Sequence, residues 1–226
     1  MMSNGSVLIG DLTYKQIRRD IIRCVLAPGE RISNAELAKR YGVSIGVARR
    51  VLDRLCQDDL VEVLPREGYL ISPITLGGVQ DLLAARIAYE PVGARLAAGK
   101  LSAEQVQRLR ELCEVSRQSS ENDQLEAANT EFHLIIAQAT GIRRVLATIR
   151  LFLEDWERLV YFGGPLTAGP GPEEADEHEA VVVALAAGNA AKAEQAMQKH
   201  LETSRLITLV QLSGNPEFAD VVLTTR

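Results

Sequence analysis

All three histidines of the 226-residue chain, His133, His178 and His200, fall in its second part, each within a different stretch of helical periodicity. A lone histidine on an apolar helix is more often a satisfied core residue than a ligand, but three of three, with none elsewhere, shift the reading toward a shared site. Neutral imidazoles from three helices can converge on one cation in a bundle core and leave coordination positions for water or a ligand. Asn129 stands four residues before His133, so the two share a helical face. A second constellation lies near the N-terminus, where Ser44, Ile45, Arg49, Arg50 and Arg54 sit opposite the apolar stripe Val47, Val51, Leu52 and Leu55. Guanidinium groups on one face of a short helix suit phosphate pairing and bidentate recognition of guanine.

The elements that must carry these residues divide at Pro73–Ile74 into residues 1–74 and 75–226. In the first part Tyr14, Ile17, Ile21 and Val25 recur at helical spacing until Ala27-Pro28-Gly29 stops the helix. Ser33-x-x-Glu36 is a capping box opening a second helix with Leu37, Ala38 and Tyr41 inward, and Gly42 ends it. Ser44 is placed to cap the third helix. Leu60 to Leu64 and Tyr69 to Ile71 read as strands joined by Pro65-Arg66-Glu67-Gly68. From Thr75 onward the text is rich in alanine and leucine, with helices near 76–99, 102–120, 123–140, 143–162, 173–187 and 189–211. Ser102-x-x-Gln105 is another capping box, Gly99, Gly141 and Gly188 fall at helix ends, and Pro91 should kink its helix rather than end it. Gly163 to Pro172 is a Gly/Pro-rich loop.

Composition sets the outer limits. With 46% hydrophobic and 24% charged residues the chain is globular, not disordered as a whole. No apolar run reaches the roughly 18 residues of a membrane span, and the start lacks the marks of a signal peptide, so a cytoplasmic protein without a membrane partner is expected. Cys24, Cys56 and Cys113 have no pair spacing and read as buried apolar residues of a reducing compartment. The formal charge of −5 is uneven. Residues 1–74 hold 11 Lys+Arg against 9 Asp+Glu, while the remainder holds 14 against 21. The first part is thus free to approach a polyanion.

Helix, tight turn, helix and hairpin is the order of a winged helix-turn-helix, whose third helix enters the major groove. The stretch Gln16 to Ile71, with APGERIS, AELAKRYGVS, VARRVLDRL and LVEVLPREGYLI, resembles the DNA-binding domain of the GntR family of bacterial repressors. The resemblance implies DNA contact by Arg31, Ser44, Arg49 and Gly68, the glycine letting the wing backbone approach the duplex. This chain has Ser44-Ile45-Gly46-Val47 where the family usually has Ser-Arg-Thr-Pro, and Arg50 where a glutamate is common. Basic charge is retained but moved, which adds Arg50 to the DNA-facing set and points to a different operator.

Downstream, NTEFHLIIAQATG, EHEAVVVALAAGN and AMQKHL resemble the all-helical FCD effector domain of FadR-like GntR regulators. That resemblance implies a divalent metal, zinc or nickel, held by His133, His178, His200 and the residue at 129, an aspartate in the family and an asparagine here. It also places Arg86, in DLLAARIAYEPVGARLAA, toward a ligand cavity, where its fork could pair with a small organic acid. The plainer alternative is a surface Arg86 pairing with Glu90 at i+4. Trp156 and Phe152 are read as core or pocket wall, and Glu173, Glu174, Asp176 and Glu177 as a solvated helix start favoured by the dipole.

The resulting expectation is a mainly α protein: a winged helix-turn-helix at 1–74, and an all-α metal-binding, effector-binding and dimerisation domain at 75–226. It would be a non-enzymatic, ligand-responsive repressor binding palindromic operator DNA as a homodimer. Two other readings stay open. A three-histidine centre could be hydrolytic, although no HExxH or comparable motif supplies a general base. Ile45 could mark a small-molecule-binding module that has lost DNA binding.

Overall fold

The computed structural model describes residues 4–163 and 172–213, so most of the expected 163–172 loop lies outside the described residues. The chain separates into two compact units, Met1–Ile74 and Thr75–Arg226.

The first unit holds α1 (Asn4–Ile22), β1 (Arg31–Ile32), α2 (Asn34–Tyr41), α3 (Ile45–Gln57), β2 (Val61–Leu64) and β3 (Gly68–Ile71). The apolar stripes of its helices close on one core containing Ile17, Ile21, Leu26, Leu37, Leu52, Leu55 and Ile71. The helical spacing of Tyr14, Ile17 and Ile21 predicts a helix running on to Val25, but the helix ends at Ile22, Cys24 turns left-handed at φ 55°, and Val25 is 56% exposed. Leu26 fills the place instead. Ser33 and Glu36 form the capping box in both directions. Gly42 at φ 65° ends α2, and Ser44 starts α3 by accepting from the Val47 amide. The three residues Gly42, Val43 and Ser44 make the turn between the helices.

The sheet is antiparallel in the order β1-β3-β2, with Arg31 opposite Leu70 and Leu64 opposite Gly68. The two-residue β1 is an addition to the expected strand pair. It is too short to show an alternating pattern, and only pairing with β3 defines it.

The second unit is all helical among the described residues: α4 (Leu76–Ala97), α5 (Ala103–Gln118), α6 (Asn122–Ala139), α7 (Arg143–Gly163), α8 (Pro172–Ala186) and α9 (Ala190–Ser213). Helix α4 continues through Pro91, which is buried. The core around Ala94, Leu109, Phe132, Val181, Leu185, Met197 and Leu201 draws on α4, α5, α6, α8 and α9. These packed faces also carry the histidines, one each on α6, α8 and α9.

Candidate functional site: a histidine cluster and a recognition helix

His133, His178 and His200 meet in the interior of the second unit, each 1% exposed. One ligand-capable nitrogen of each lies within 4.8 Å of the others. His178 Nε2 and His200 Nε2 are 3.1 Å apart. Two nitrogens bound to one cation at about 2.0–2.1 Å stand roughly 3 Å apart, so the spacing suits a shared ion as well as a single hydrogen bond. His133 Nε2 is buried with no hydrogen-bond partner among the described residues, an arrangement that a cation would satisfy. Burial pushes His178 well below the ordinary imidazole value and His200 down to about 4, with neighbouring histidines and Arg86 adding to the effect. Both are therefore neutral near pH 7, the form in which imidazole is a ligand. The donor set fits a divalent transition metal.

Packing holds the rings in place. Phe132 stacks on His178 with centroids 4.0 Å apart, and His133 lies edge-on to both. Asn129, one turn before His133 on α6, is 4% exposed.

Arg86 is 2% exposed and donates from Nε to Glu90 Oε1 at 2.6 Å. The i+4 pair weighed from sequence thus exists, but inside the domain rather than on its surface. Glu90 Oε2 also lies 2.6 Å from His133 Nδ1, a close approach not in line with the ring N–H. Burial alone would raise the Glu90 carboxyl, but Arg86 and His133 outweigh it and hold it well below the usual carboxylate range. The Arg86 guanidinium also sits 5.0 Å from the centroid of the Trp156 ring, making Trp156 part of the wall around it. Phe152 instead packs edge-on against Tyr89.

Several acidic residues near the cluster escaped sequence reasoning. Glu126 is buried and accepts from Thr130 Oγ1 at 2.9 Å, and burial raises its carboxyl to about 8. The run Glu173, Glu174, Asp176, Glu177 is not uniformly solvated, because helical spacing turns two of its members inward. Glu177 Oε2 lies 3.8 Å and Glu174 Oε1 4.0 Å from His200 Nδ1, whereas exposed Asp176 pairs with Arg117. Burial raises Glu174 to about 7. The available signal was the spacing of Glu174, Glu177 and His178, which puts them on one face. The groove along α8 and α9, lined by Glu177, Gln195 and Lys199 among others, includes none of the three histidines.

In the first unit Arg49 and Arg50 are exposed on α3, opposite buried Val47, Val51 and Leu55. Ile45 is 60% exposed at the start of the helix. Ser44 Oγ is engaged in the helix cap. Arg54 is drawn toward α1, 3.1 Å from Asp11 and over the Tyr14 ring. Arg31 is exposed and paired with Glu67. Gly68 opens β3 rather than forming the turn tip; its φ is 107°, and an added Cβ would stand 3.0 Å from the Ile32 carbonyl oxygen. The need for glycine there comes from the backbone conformation and from strand packing together. Arg66, exposed at φ 69°, occupies the tip.

Comparison with known proteins places both units. The FCD domain profile matches residues 81–203, more than half of the chain, and the profile of bacterial regulatory proteins of the gntR family matches residues 11–71. The chain belongs to the GntR family and carries an FCD domain. It is a transcriptional regulator and not an enzyme, which removes the hydrolytic alternative. Over most of their lengths this GntR regulator resembles two repressors of Escherichia coli (strain K12). It is 26% identical to the HTH-type transcriptional repressor RspR, covering 96% of each chain, and 25% identical to the repressor GlaR, covering 89% of this chain and 96% of GlaR. Among solved structures it shares its fold with E. coli McbR/YncC, with a TM-score of 0.72 at 18% identity, covering 93% of this chain and 99% of McbR. No helix among the described residues is long and apolar enough to cross a membrane.

Proposed function

We propose that this regulator is a cytoplasmic, homodimeric repressor that reads a palindromic operator and senses a small organic acid at a metal site in its FCD domain. The observation carrying the reading is the convergence of three buried imidazoles, with a buried arginine joined to the cluster through Glu90. His133, His178 and His200, with the Asn129 amide, would hold a divalent cation, zinc or nickel, which would supply a Lewis-acidic centre for an effector oxygen. Arg86 has its Nε committed to Glu90, so the outer edge of its fork is the part an effector carboxylate would meet. In the first unit Arg49 and Arg50 would contact DNA from α3, Ser44 would position the helix against it, and Arg31 and the wing at Gly68 would meet the backbone. The names RspR and GlaR, both repressors, support the sign of regulation.

The test combines metal and DNA. Metal-stripped protein is titrated with zinc and nickel, then assayed for a salt-dependent mobility shift on its own upstream DNA with and without a panel of small carboxylates. Metal binding at one ion per chain, operator binding that weakens with salt, and release by one carboxylate would support the reading. No binding of either metal by the wild type would remove the metal site, and no salt-dependent shift would remove the operator.

A further inference from the structure

Glu90 joins Arg86 to the cluster in the site just proposed, but no part in holding the metal has been given to it. It is 2% exposed on α4, yet both of its oxygens are engaged, Oε1 by Arg86 Nε and Oε2 by the approach of His133 Nδ1, each at 2.6 Å. An imidazole that ligates a metal keeps a single ring proton, on the nitrogen away from the ion. If that proton sat on Nε2, the Nδ1 lone pair would face a carboxylate oxygen across 2.6 Å, a repulsive arrangement in a dry interior. With the proton on Nδ1 the contact becomes attractive, and a small rotation of the ring brings the N–H into line. The Nε2 lone pair is then directed away from Glu90. Like Nδ1, that nitrogen is buried and makes no hydrogen bond among the described residues, but unlike Nδ1 it has no carboxylate beside it, and the His178 and His200 ring centroids stand 5.6 and 5.4 Å from that of His133.

We propose that Glu90 is a positioning residue that locks His133 in its Nδ1–H tautomer, presents Nε2 to a cation shared with His178 and His200, and links that cation to Arg86 through one carboxylate. The inference rests on the metal and effector reading given above and adds the link between its two halves. Because Asn129 brings no charge, Glu90 is the anion in closest contact with a histidine of the cluster. Arg86 offsets part of that charge. An effector anion competing for the guanidinium would leave Glu90 more strongly negative toward His133, making Nε2 a better donor. Metal and effector would then favour one another through Glu90 as well as through any direct contact.

Two measurements on the full-length, metal-stripped protein test this. Histidine ¹⁵N NMR should show His133 as the Nδ1–H tautomer in the wild type and a mixed or reversed tautomer in Glu90→Gln; wild-type His133 protonated on Nε2 would overturn the proposal. Zinc titration against a competing chelator should show affinity reduced about 10–100-fold in Glu90→Gln. Equal affinity in the wild type and a folded variant, checked by circular dichroism, would also overturn it. Should the glutamine variant not fold, Glu90→Asp keeps the charge while withdrawing it by one methylene. Zinc affinity should then fall several-fold, and unchanged affinity would sink the proposal. A wild type that shows the Nδ1–H tautomer but binds no zinc would uphold Glu90's hold on the ring while removing the metal reading on which the coupling rests.

Discussion

At residue 129 an amide stands in place of a charge. Three neutral imidazoles and an asparagine leave a bound divalent ion with its full charge, whereas a carboxylate at 129 would halve it. Asn129→Asp should therefore tighten zinc binding in effector-free protein and weaken the mutual reinforcement of metal and effector. Calorimetric titration of zinc with and without effector measures both; the same reinforcement in the two proteins would show that residue 129 does not set the charge balance. A second residue-scale expectation concerns Glu126, whose carboxyl is raised by burial to about 8 from an ordinary value near 4.5. Between these values the folded protein holds a proton that the unfolded chain has lost, so stability falls as pH rises through the window. Glu126→Gln retains a neutral hydrogen-bonding group without the titration. Thermal unfolding between pH 5 and 8 should fall less steeply in the variant, and parallel profiles would place the proton elsewhere.

Helix α3 carries the DNA-facing prediction. Its stripe of Val47, Val51 and Leu55 is buried, which fixes Arg49 and Arg50 outward whatever the operator sequence. Arg49→Ala should cost about 1–3 kcal/mol of operator affinity if the side chain reads a base edge. Binding unchanged at physiological salt would exclude that role. Ser44→Ala should cost about 1 kcal/mol of stability through loss of the cap. Gly68→Ala should also destabilise, by about 1 kcal/mol or more, because the added methyl meets both an unfavourable φ and the Ile32 carbonyl. Denaturant midpoints report both changes.

These elements differ in how legible they were. The three helices of the first unit, the capping boxes and the histidine-bearing helices each carry a periodic stripe or local signature, so type and spacing sufficed. Strand β1 has two residues and exists only through its partner, and Val25 fitted a period that the chain abandons at Ile22. The interior carboxylates were hidden for a different reason. Glu90 meets His133 on another helix, while its contact with Arg86 and that of Glu126 with Thr130 are i,i+4 pairs within one helix, and a helical sequence does not distinguish such a buried acid from one facing water.

For the molecule as a whole, charge is divided as function would require. The second unit carries the net negative charge and the first a slight positive one, so approach to a duplex is left to the first. A regulator needs more than two competent units; binding in one must change the free energy of binding in the other. That coupling is reciprocal, so if an effector weakens operator binding by some factor, operator DNA must weaken effector binding by the same factor, typically about 5–150-fold. Effector affinity measured by calorimetry on metal-loaded protein, alone and saturated with an operator fragment, should therefore differ. The ratio should equal the one obtained when operator affinity is measured with and without effector. Arg86→Ala should abolish the difference by removing the effector while leaving operator affinity in its absence nearly intact. An effector that binds equally well to free and DNA-bound protein would show that the FCD domain holds a ligand but does not govern the helix on the operator.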